Sequence, residues 1–370
     1  MPHPTAGVCR PVQAVMRAAP GVTVTGTAQQ QAWQRRVLPP VEEVRPGVWS
    51  MPVPIPDNPL RYTLSYAFVG DQGVVLVDPG WDSAEGRAAV TVGLASAGAV
   101  LRDVSGVVAT HVHPDHHGLS AWLQDVTGAW VAMHPAEAST LPARVWHASA
   151  VLHDRAWLVD AGVPDAIVDE LVVDPARVAD LLTMAEPDRF LEDGDQVPIP
   201  GRNVRAVWTP GHTPGHLCLH DAEAGLLLTG DHLLPRITPN IGMHRGSVPD
   251  PLNDYLTSLG KLDRYTAEEA LPAHEYRFRS VPDRAADLIA HHHERSAEVI
   301  AAVARLQAPT AWTIATELTW SRGWSELQGL LRRFALAETL AHLHYLAGQG
   351  ALASEASTPI RWRQTVTAPS

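Results

Sequence analysis

The sequence predicts an α/β protein built as a four-layer αββα sandwich. Two groups of short, apolar, strand-like segments are separated along the chain, and helical segments flank each group. The first group comprises 48–53, 62–69, 73–78 and 104–110, and the second comprises 196–199, 204–208, 216–220 and 225–229. Two sheets that pack face to face, each covered outside by helices, would bury the apolar faces of these strands.

Helical segments account for most of the remaining chain. The pattern indicates helices over 84–98, 252–265 and 281–307, and a mostly helical stretch over 136–189. This stretch is an insertion that either thickens the scaffold or forms a lid. Two further helices, over 311–318 and 324–346, precede a pair of short strands at 351–353 and 360–363. The helix over 294–307, these two helices and the hairpin together predict a small winged-helix-like domain.

These patterns divide the 370 residues into three parts. Residues 1–38 lack clear periodicity and are predicted to form a loose or partly helical N-terminal extension. Residues 39–285 are predicted to form the sandwich with its insertion, and residues 286–370 the winged-helix-like C-terminal domain. A chain of this length suits one large domain and one small one.

Composition and charge narrow the classes of function. The net charge of −12 disfavours non-specific binding to nucleic acid, because the phosphate backbone is also negative. No apolar stretch is long enough to predict a membrane-spanning helix, and the N-terminus does not resemble a signal peptide. Cys9 and Cys218 stand in unrelated contexts, so no disulfide framework is predicted and a cytoplasmic location is the expectation.

Several of the 19 histidines are spaced as metal ligands. The segment 110–118, Thr-His-Val-His-Pro-Asp-His-His-Gly, follows an apolar strand. In an extended loop, His111 and His113 point to the same side and can bind one metal ion. Asp115 and His116 come directly after them and can face a second ion. Histidine and carboxylate ligands suit zinc and other borderline divalent ions.

Three more candidate ligands follow predicted strands later in the chain. His212 lies in the Gly- and Pro-rich segment 209–216, Asp231 ends an apolar strand, and His274 follows residues 271–273. Each pattern alone is a modest signal. Their order, with each motif directly after a strand, is far more specific.

This order resembles the metallo-β-lactamase superfamily over roughly residues 41–285, with Val77-Asp78-Pro79-Gly80 as the first motif of that family. The resemblance implies a metallo-β-lactamase sandwich that binds two metal ions. One ion would be bound by His111, His113 and His212, the other by Asp115, His116 and His274, and Asp231 would bridge the two. In this family, Asp78 usually braces the ligand loops instead of binding metal.

A pair of divalent ions predicts metal-assisted hydrolysis, with zinc as the expected metal and iron or manganese as the alternatives. Two such ions lower the pKa of a shared water, hold the bridging hydroxide and polarise the substrate oxygen. Asp115 and Asp231 are the catalytic candidates, since Asp115 can accept the proton of the hydroxide and Asp231 lies between the ions. The predicted enzyme is a binuclear metal-dependent hydrolase.

Differences within the superfamily narrow the substrate. β-Lactamases with a second-metal cysteine carry Cys where this chain has Asp231, and flavo-diiron oxidoreductases carry Glu where it has His113. The segment 209–216 is more similar to glyoxalase II and its relatives, which cleave thioesters, esters or lactones. The basic C-terminal helical region of glyoxalase II is not evident. A small-molecule ester, thioester or lactone is therefore the predicted substrate.

The C-terminal domain leaves alternatives open. It resembles the domain appended to the β-lactamase-like protein 2 group, some members of which are single-strand ribonucleases, so single-stranded RNA or another phosphodiester is the alternative substrate. Seven arginines balance seven acidic residues over 286–370, which disfavours RNA. A role in packing or in a homodimer is the other interpretation. A ligand-sensing winged-helix regulator and an iron-dependent persulfide dioxygenase are two further hypotheses.

Other residues are candidates for lesser roles. The histidines beside the ligands are expected to support them or to pack locally: His117, His216 and His232. The run 291–293 of three histidines is predicted to lie on a solvated helix face. The loop 233–250 offers candidate substrate contacts, although ordinary loop roles are the stronger interpretation: Arg236, His244 and Arg245. Trp146 and Trp157 in the insertion hint at an apolar substrate.

Overall fold

A computed structural model describes residues 21–145, 150–173, 183–244 and 247–365. Two β-sheets pack face to face across a shared apolar core, and helices cover the outer face of each sheet. The predicted αββα sandwich is thereby confirmed. In the part of the chain that is described, no helix is long and apolar enough to cross a membrane.

The described chain begins with strand β1 (Thr23–Val24) and helix α1 (Thr27–Arg35). The sequence predicts a loose or partly helical extension over residues 1–38, and in the structure β1 and α1 lie against the sandwich. β1 pairs with residues 278–279 at a sheet edge, and the buried Trp33 packs edge-on against Tyr62. Residues 1–20 lie outside the described residues.

The first sheet contains seven strands in the described residues. In order across the sheet they are β2 (Glu42–Arg45), β3 (Val48–Pro54), β4 (Tyr62–Gly70), β5 (Gly73–Val77), β6 (Val104–Val108), β7 (Trp130–Met133) and β8 (Arg189–Phe190). β2 to β5 are antiparallel, whereas β5 to β8 run parallel. The parallel strands therefore end at one common edge of the sheet.

Helices cover the outer face of this sheet. Helix α2 (Ala84–Ser96) begins at Ser83, whose side chain accepts a hydrogen bond from the Gly86 amide and so caps the helix. The short helix α3 (Pro114–His117) and helix α4 (Ser120–Thr127) follow β6. Val90 and Leu94 of α2 and Leu123 of α4 are fully buried against the sheet, which fixes both helices.

The insertion between β7 and β8 is mostly helical in its described residues. It contains α5 (Pro135–Ala138), α6 (Pro142–Val145), α7 (Ala150–Asp160) and α8 (Asp165–Leu171). Residues 146–149, which include Trp146, and residues 174–182 lie outside the described residues. Whether the insertion acts as a lid stays a prediction.

The second sheet contains six strands in the described residues, in the order β1-β13-β12-β11-β10-β9. The strands not yet introduced are β9 (Val204–Trp208), β10 (Leu217–Asp221), β11 (Leu226–Gly230), β12 (Glu269–Pro272) and β13 (Phe278–Arg279). β11 and β12 are parallel, so both end at the same edge. Helix α9 (Pro251–Lys261) and the first turns of α10 (Val281–Leu306) cover the outer face.

Three helices and a hairpin follow the sandwich, as the sequence predicts. They are α10, α11 (Ala311–Glu317), α12 (Gly329–Gly348) and the antiparallel strands β14 (Leu352–Glu355) and β15 (Arg361–Gln364). The winged-helix resemblance stays a prediction. Helix α10 runs unbroken through residues 285 and 286, where the sequence suggests a domain boundary.

The insertion and the C-terminal helices share one apolar core. Leu158 and Leu171 of the insertion belong to the same buried cluster as Leu336 and Leu343 of α12. A buried ion pair, in which Nη2 of Arg333 lies 2.6 Å from Oδ1 of Asp154, joins α12 to α7. These two parts of the chain therefore pack as a unit on one side of the sandwich.

The histidine run on α10 differs from its predicted solvated face. His292 is buried, with Nδ1 lying 3.3 Å from Nε2 of His342 on α12. His293 is exposed and His291 is partly exposed. The prediction is wrong for His292, because α12 packs over this side of α10.

Candidate metal centre

All seven predicted ligands meet at one edge of the sandwich. β5 of the first sheet ends directly before Asp78, and β6 ends shortly before the segment 110–116. In the second sheet, β11 ends before Asp231, β12 ends before His274, and the turn between β9 and β10 carries His212. The carboxyl ends of parallel strands lie side by side, so the two sheets bring their loops together there.

Three imidazoles form the first ligand group: His111, His113 and His212. Nδ1 of His113 lies 2.9 Å from Nε2 of His111 and 3.1 Å from Nε2 of His212. The Nδ1 atom of His212 donates to the carbonyl of Asn240 over 2.9 Å. That bond leaves Nε2 of His212 with a lone pair directed at the group, as in a metal-binding histidine.

The second ligand group consists of Asp115, His116 and His274. Oδ2 of Asp115 lies 3.4 Å from Nε2 of His274 and 3.7 Å from Nε2 of His116. Nδ1 of His274 donates to the carbonyl of Tyr62 over 3.0 Å. The Nε2 atom of His274 is therefore the one that faces the carboxylate.

Asp231 lies between the two groups. Its Oδ1 is 3.2 Å from Nε2 of His274 and 3.6 Å from Nε2 of His116, while Oδ2 is 3.7 Å from Nε2 of His212. One carboxylate oxygen thus faces the second ligand group and the other faces the first. This is the arrangement expected of a bridging ligand.

The buried polar atoms of the centre fit divalent metal ions. Among the described residues, Nε2 of His116, Nε2 of His274 and Oδ1 of Asp231 are buried without a hydrogen-bond partner. Buried polar atoms in proteins are nearly always satisfied, so three orphans that converge on one point indicate a missing ligand. Imidazole nitrogens and carboxylate oxygens are donors that zinc accepts.

Comparison with known proteins agrees with this geometry. Residues 58–274 match the family model described as the Metallo-beta-lactamase superfamily, and the match includes all seven predicted ligands. The chain belongs to the metallo-beta-lactamase superfamily. The chain resembles the crystal structure of a metallo-beta-lactamase family protein from Thermus thermophilus, with 32% sequence identity and a TM-score of 0.71. The superposition covers 87% of this chain and 100% of that protein's chain.

Two curated relatives have informative names. The acyl-coenzyme A thioesterase MBLAC2 of Gallus gallus is 31% identical over 232 residues, which cover 59% of this chain and 72% of that protein. The lactamase-like protein adaB of Aspergillus niger is 31% identical over 150 residues, 40% of this chain and 43% of that protein. The chain therefore matches less than half of the length of adaB.

Asp78 braces both ligand groups of this metallo-beta-lactamase centre, as the resemblance implies. Its carboxylate accepts hydrogen bonds from the Thr110 amide at 2.7 Å, from the Thr110 hydroxyl at 2.8 Å and from Nδ1 of His116 at 2.9 Å. The Thr110 oxygen in turn lies 3.0 Å from Nδ1 of His111. Asp78 thus orients His116 directly and His111 through Thr110.

The structure adds a residue that the sequence did not suggest, Glu137. Its buried carboxylate accepts the Val112 amide at 3.1 Å and the Gly215 amide at 3.0 Å. Val112 lies between two ligands of the first group, and Gly215 lies in the turn that carries the third. Burial raises the pKa of Glu137 to about 7, although the two amide hydrogen bonds oppose the shift. Glu137 joins the two histidine loops.

Of the three histidines beside the candidate ligands, His216 supports one of them, and His117 and His232 pack locally. Nε2 of His216 accepts the Asp231 amide at 3.2 Å, and Nε2 of His117 lies 2.9 Å from the Ala185 carbonyl. Gly230 makes the first contact possible, because a Cβ atom there would lie 2.6 Å from Nε2 of His216. His232 is buried, with its ring centre 5.1 Å from that of Tyr255.

The loop after Asp231 connects the centre to the C-terminal helices. Asn240, whose carbonyl orients His212, is followed by Gly242 and Met243, and the Met243 amide donates to the Ala337 carbonyl of α12 over 3.0 Å. A Cβ atom on Gly242 would lie 3.1 Å from Cβ of Ala337. The loop can therefore lie close against α12.

The candidate substrate contacts of this loop have separate positions. Arg236 forms an ion pair with Glu275, with Nη2 lying 2.6 Å from Oε1, directly beside the ligand His274. The ring of His244 packs against the ring of Trp157, with 5.8 Å between their centres. Trp157 itself packs against the apolar core that the insertion shares with the C-terminal helices. Arg245 lies outside the described residues.

The two ligand groups differ in charge. Burial lowers the pKa of His111 well below its usual value and that of His113 to about 3, and it also lowers the pKa of His212. Burial acts in the same direction on His274, but the carboxylates of Asp231 and Asp115 more than offset it and raise the pKa to about 10. The His116 pKa is raised for the same reason.

Proposed function

We propose that this protein is a binuclear metal-dependent hydrolase that cleaves thioesters, within the wider class of small esters, thioesters and lactones. The observation that carries the proposal is the Asp231 carboxylate, with one oxygen facing each of two complete ligand groups. A binding protein for a single metal ion needs only one such group.

Each residue of the centre has a proposed role. The first ligand group would hold one divalent ion, the second ligand group the other, and Asp231 would contact both. Ions bound there would supply Lewis acidity toward the carbonyl oxygen and would acidify a water between them. Zinc is the proposed metal because the donors are five imidazoles and two carboxylates.

Asp115 is the proposed proton acceptor. Its side chain is 13% exposed, so water and substrate can reach it, and the hydroxyl of Thr63 donates to its backbone carbonyl over 2.8 Å and fixes its position. Burial opposes ionisation, but the neighbouring His116 and His274 lower the pKa of Asp115 to about 2. The carboxylate is therefore ionised at neutral pH and can accept a proton from the attacking water.

The thioester class is supported by the similarity to the Gallus gallus protein, which is named as an acyl-coenzyme A thioesterase. The chain matches most of that protein's length, 72% of it. Cleavage of RNA is less favoured, because arginines of the C-terminal region are paired with acidic side chains: Arg295, Arg305, Arg333 and Arg363. Paired arginines leave less free positive charge for phosphates.

The first experiment combines elemental analysis of the purified protein with hydrolysis assays. The substrates are an acyl-coenzyme A, a lactone, a p-nitrophenyl phosphodiester and single-stranded RNA. The wild type is expected to bind about two zinc ions and to cleave the thioester. Asp231→Ala is expected to bind less metal and to lose at least about a thousandfold in kcat/KM. Asp263→Ala, which changes an exposed carboxylate, is the matched control.

Other outcomes of this experiment would reject the proposal. Cleavage confined to RNA and the phosphodiester would identify a nuclease. A single iron with oxygen consumption and no hydrolysis would identify oxygen chemistry. Metal binding without turnover of any substrate would favour a sensor.

A further inference from the structure

An arginine with no ion-pair partner among the described residues lies one residue along the chain from a support of the second ligand group. Arg61 directly precedes Tyr62, whose carbonyl accepts the hydrogen bond from Nδ1 of His274. The guanidinium carbon of Arg61 lies 3.8 Å from the ring centre of Trp33, and Nη2 donates to the Trp33 carbonyl over 2.9 Å. Nη1 of Arg61 is buried and has no hydrogen-bond partner in the part of the chain that the structure describes.

Arg61 and its neighbour Arg236 differ in whether their positive charge is paired with a carboxylate. Arg236 is paired with the buried Glu275, whereas no carboxylate of the described residues lies within ion-pair distance of Arg61. Burial lowers the pKa of Arg61, as do the positive charges of Arg36 and Arg236, whereas Tyr62 and Glu275 act in the opposite direction. Arg61 therefore carries a positive charge without an ion-pair partner among the described residues, in a chain whose net charge is −12.

The backbone fixes the position of this side chain. Arg61 has a φ of 68°, which is a left-handed conformation that few residues other than glycine adopt. Non-glycine residues in this region of φ and ψ are concentrated at functional sites. The guanidinium stacks on the flat face of the Trp33 indole. A planar guanidinium can stack in this way, whereas the ammonium group of Lys cannot.

We propose that Arg61, stacked on Trp33, binds a negatively charged group on the thiol part of the substrate. The inference rests on the proposed thioester hydrolysis and specifies its substrate class: a thioester whose leaving thiol carries a phosphate or a carboxylate. The charges of Arg36 and Arg236 lie close enough to act on Arg61. The acyl carbon would then lie over the metal centre, and the anionic part would extend toward helix α1.

The kinetic test compares three thioesters with the same acyl group, on coenzyme A, on glutathione and on the uncharged thiol N-acetylcysteamine. Arg61→Gln is expected to raise KM about tenfold for at least one charged substrate, since hydrogen bonds to charged groups are the stronger ones. KM for the uncharged thioester and kcat for all three should stay near the wild-type values. An effect on coenzyme A alone indicates a phosphate, and an effect on glutathione alone indicates a carboxylate.

A purely structural role for Arg61, which also attaches α1 to β4, makes a different prediction. Equal changes in KM or kcat for all three substrates, or no change, would overturn the proposal. Arg61→Lys, which keeps the charge but not the planar stacking, should show an intermediate KM for the charged substrate. It is also the variant to measure if Arg61→Gln does not fold. Arg102→Gln, at an exposed site, is the matched control.

A binding measurement separates this proposal from the proposed hydrolysis. The probes are S-ethyl-coenzyme A and S-ethyl-glutathione, thioethers that cannot be hydrolysed, titrated calorimetrically into the zinc-loaded protein. A Kd that rises about tenfold in Arg61→Gln and not in Arg102→Gln supports the subsite even if no thioester is cleaved. Failure of both probes to bind the wild type, or binding that is unaffected by Arg61→Gln, overturns it whether or not thioesters are hydrolysed.

Discussion

The two ligand groups of the metal centre contain similar donors but are supported by different parts of the molecule. In the second ligand group, His116 and His274 are oriented by Asp78 and by the Tyr62 carbonyl, which belong to the first sheet and its connections. In the first ligand group, His212 is oriented by the Asn240 carbonyl, on a loop that lies against α12. The second group depends on the sandwich alone, whereas the first also depends on the C-terminal helices.

The two groups also differ in whether their imidazoles are protonated at neutral pH. The imidazoles of the first group have lowered pKa values, so they are neutral at pH 7 and ready to bind a metal ion. His116 and His274 have raised pKa values because carboxylates surround them. Without metal they carry protons, which a metal ion must displace. Four variants or conditions can test how far this difference determines metal binding.

The largest effect is expected from Asp78→Ala, because Asp78 is a support that reaches both groups. The variant leaves the Thr110 amide and hydroxyl and Nδ1 of His116 without their acceptor. Zinc affinity should fall about 100-fold at the second group, which Asp78 contacts directly, and about tenfold at the first. Competition with a chromophoric chelator measures both affinities.

Asp82→Ala removes a surface carboxylate that is paired with Arg87, and it is the control for Asp78→Ala. A larger loss at the first group than at the second would contradict the assigned hydrogen bonds.

The pH dependence of zinc binding should separate the groups without a mutation. The pKa of His274 is raised to about 10, so at any lower pH a proton competes with the metal ion, and the competition weakens as the pH rises. Between about pH 6 and 8, affinity at the second group should rise about tenfold per pH unit for each displaced proton. Affinity at the first group should stay nearly constant, because its imidazoles are already neutral.

Titrations across this pH range in buffers of different ionisation enthalpy would count the released protons. Equal proton release at both groups would show that the surrounding carboxylates do not control the second one.

Glu137→Gln should act mainly on the first group. A glutamine side chain has one acceptor oxygen, so either the Val112 or the Gly215 amide loses its partner and faces an NH2 group instead. Affinity at the first group should fall about tenfold, with little change at the second. Glu85→Gln on the exposed surface of α2 is the control. An equal loss at both groups would contradict the assignment of Glu137 to the histidine loops.

The smallest effect is expected from Gly242→Ala, which tests the contact with α12. The added methyl group would lie 2.9 Å from Oδ1 of Asn240 and 3.1 Å from Cβ of Ala337, so the loop must shift. About a threefold loss of zinc affinity at the first group alone is expected, consistent with roughly 0.7 kcal/mol. Gly260→Ala, at a position with open space, is the control. An unchanged affinity would mean that α12 does not help to orient His212.

The clustering of the candidate ligands could be predicted from the sequence because each one follows a strand within a short motif. The segment 110–116 and the positions of His212, Asp231 and His274 depend on local order along the chain. Glu137 lacks such a signal. Its partners are the amides of Val112 and Gly215, which belong to both halves of the sandwich, and no spacing in the sequence connects them to it.

The same reason explains the differences in the fold. β1 has two residues, too few for an alternating pattern, so its pairing with β13 is not visible in the sequence. The position of His292 depends on α12, which lies 50 residues further along the chain at the contact with His342. Periodicity describes one element, and these features arise between elements.

The seven candidate ligands come from both sheets, and this has a consequence for folding if they bind metal. The segment 111–116 follows a strand of the first sheet, and His212, Asp231 and His274 follow strands of the second, so a bound ion closes long loops that the polypeptide alone must close at an entropic cost. Zinc that binds only the folded chain would stabilise it by about 2.7 kcal/mol at a concentration about 100 times the Kd. A chelator should therefore loosen the attachment of the two sheets at this edge first.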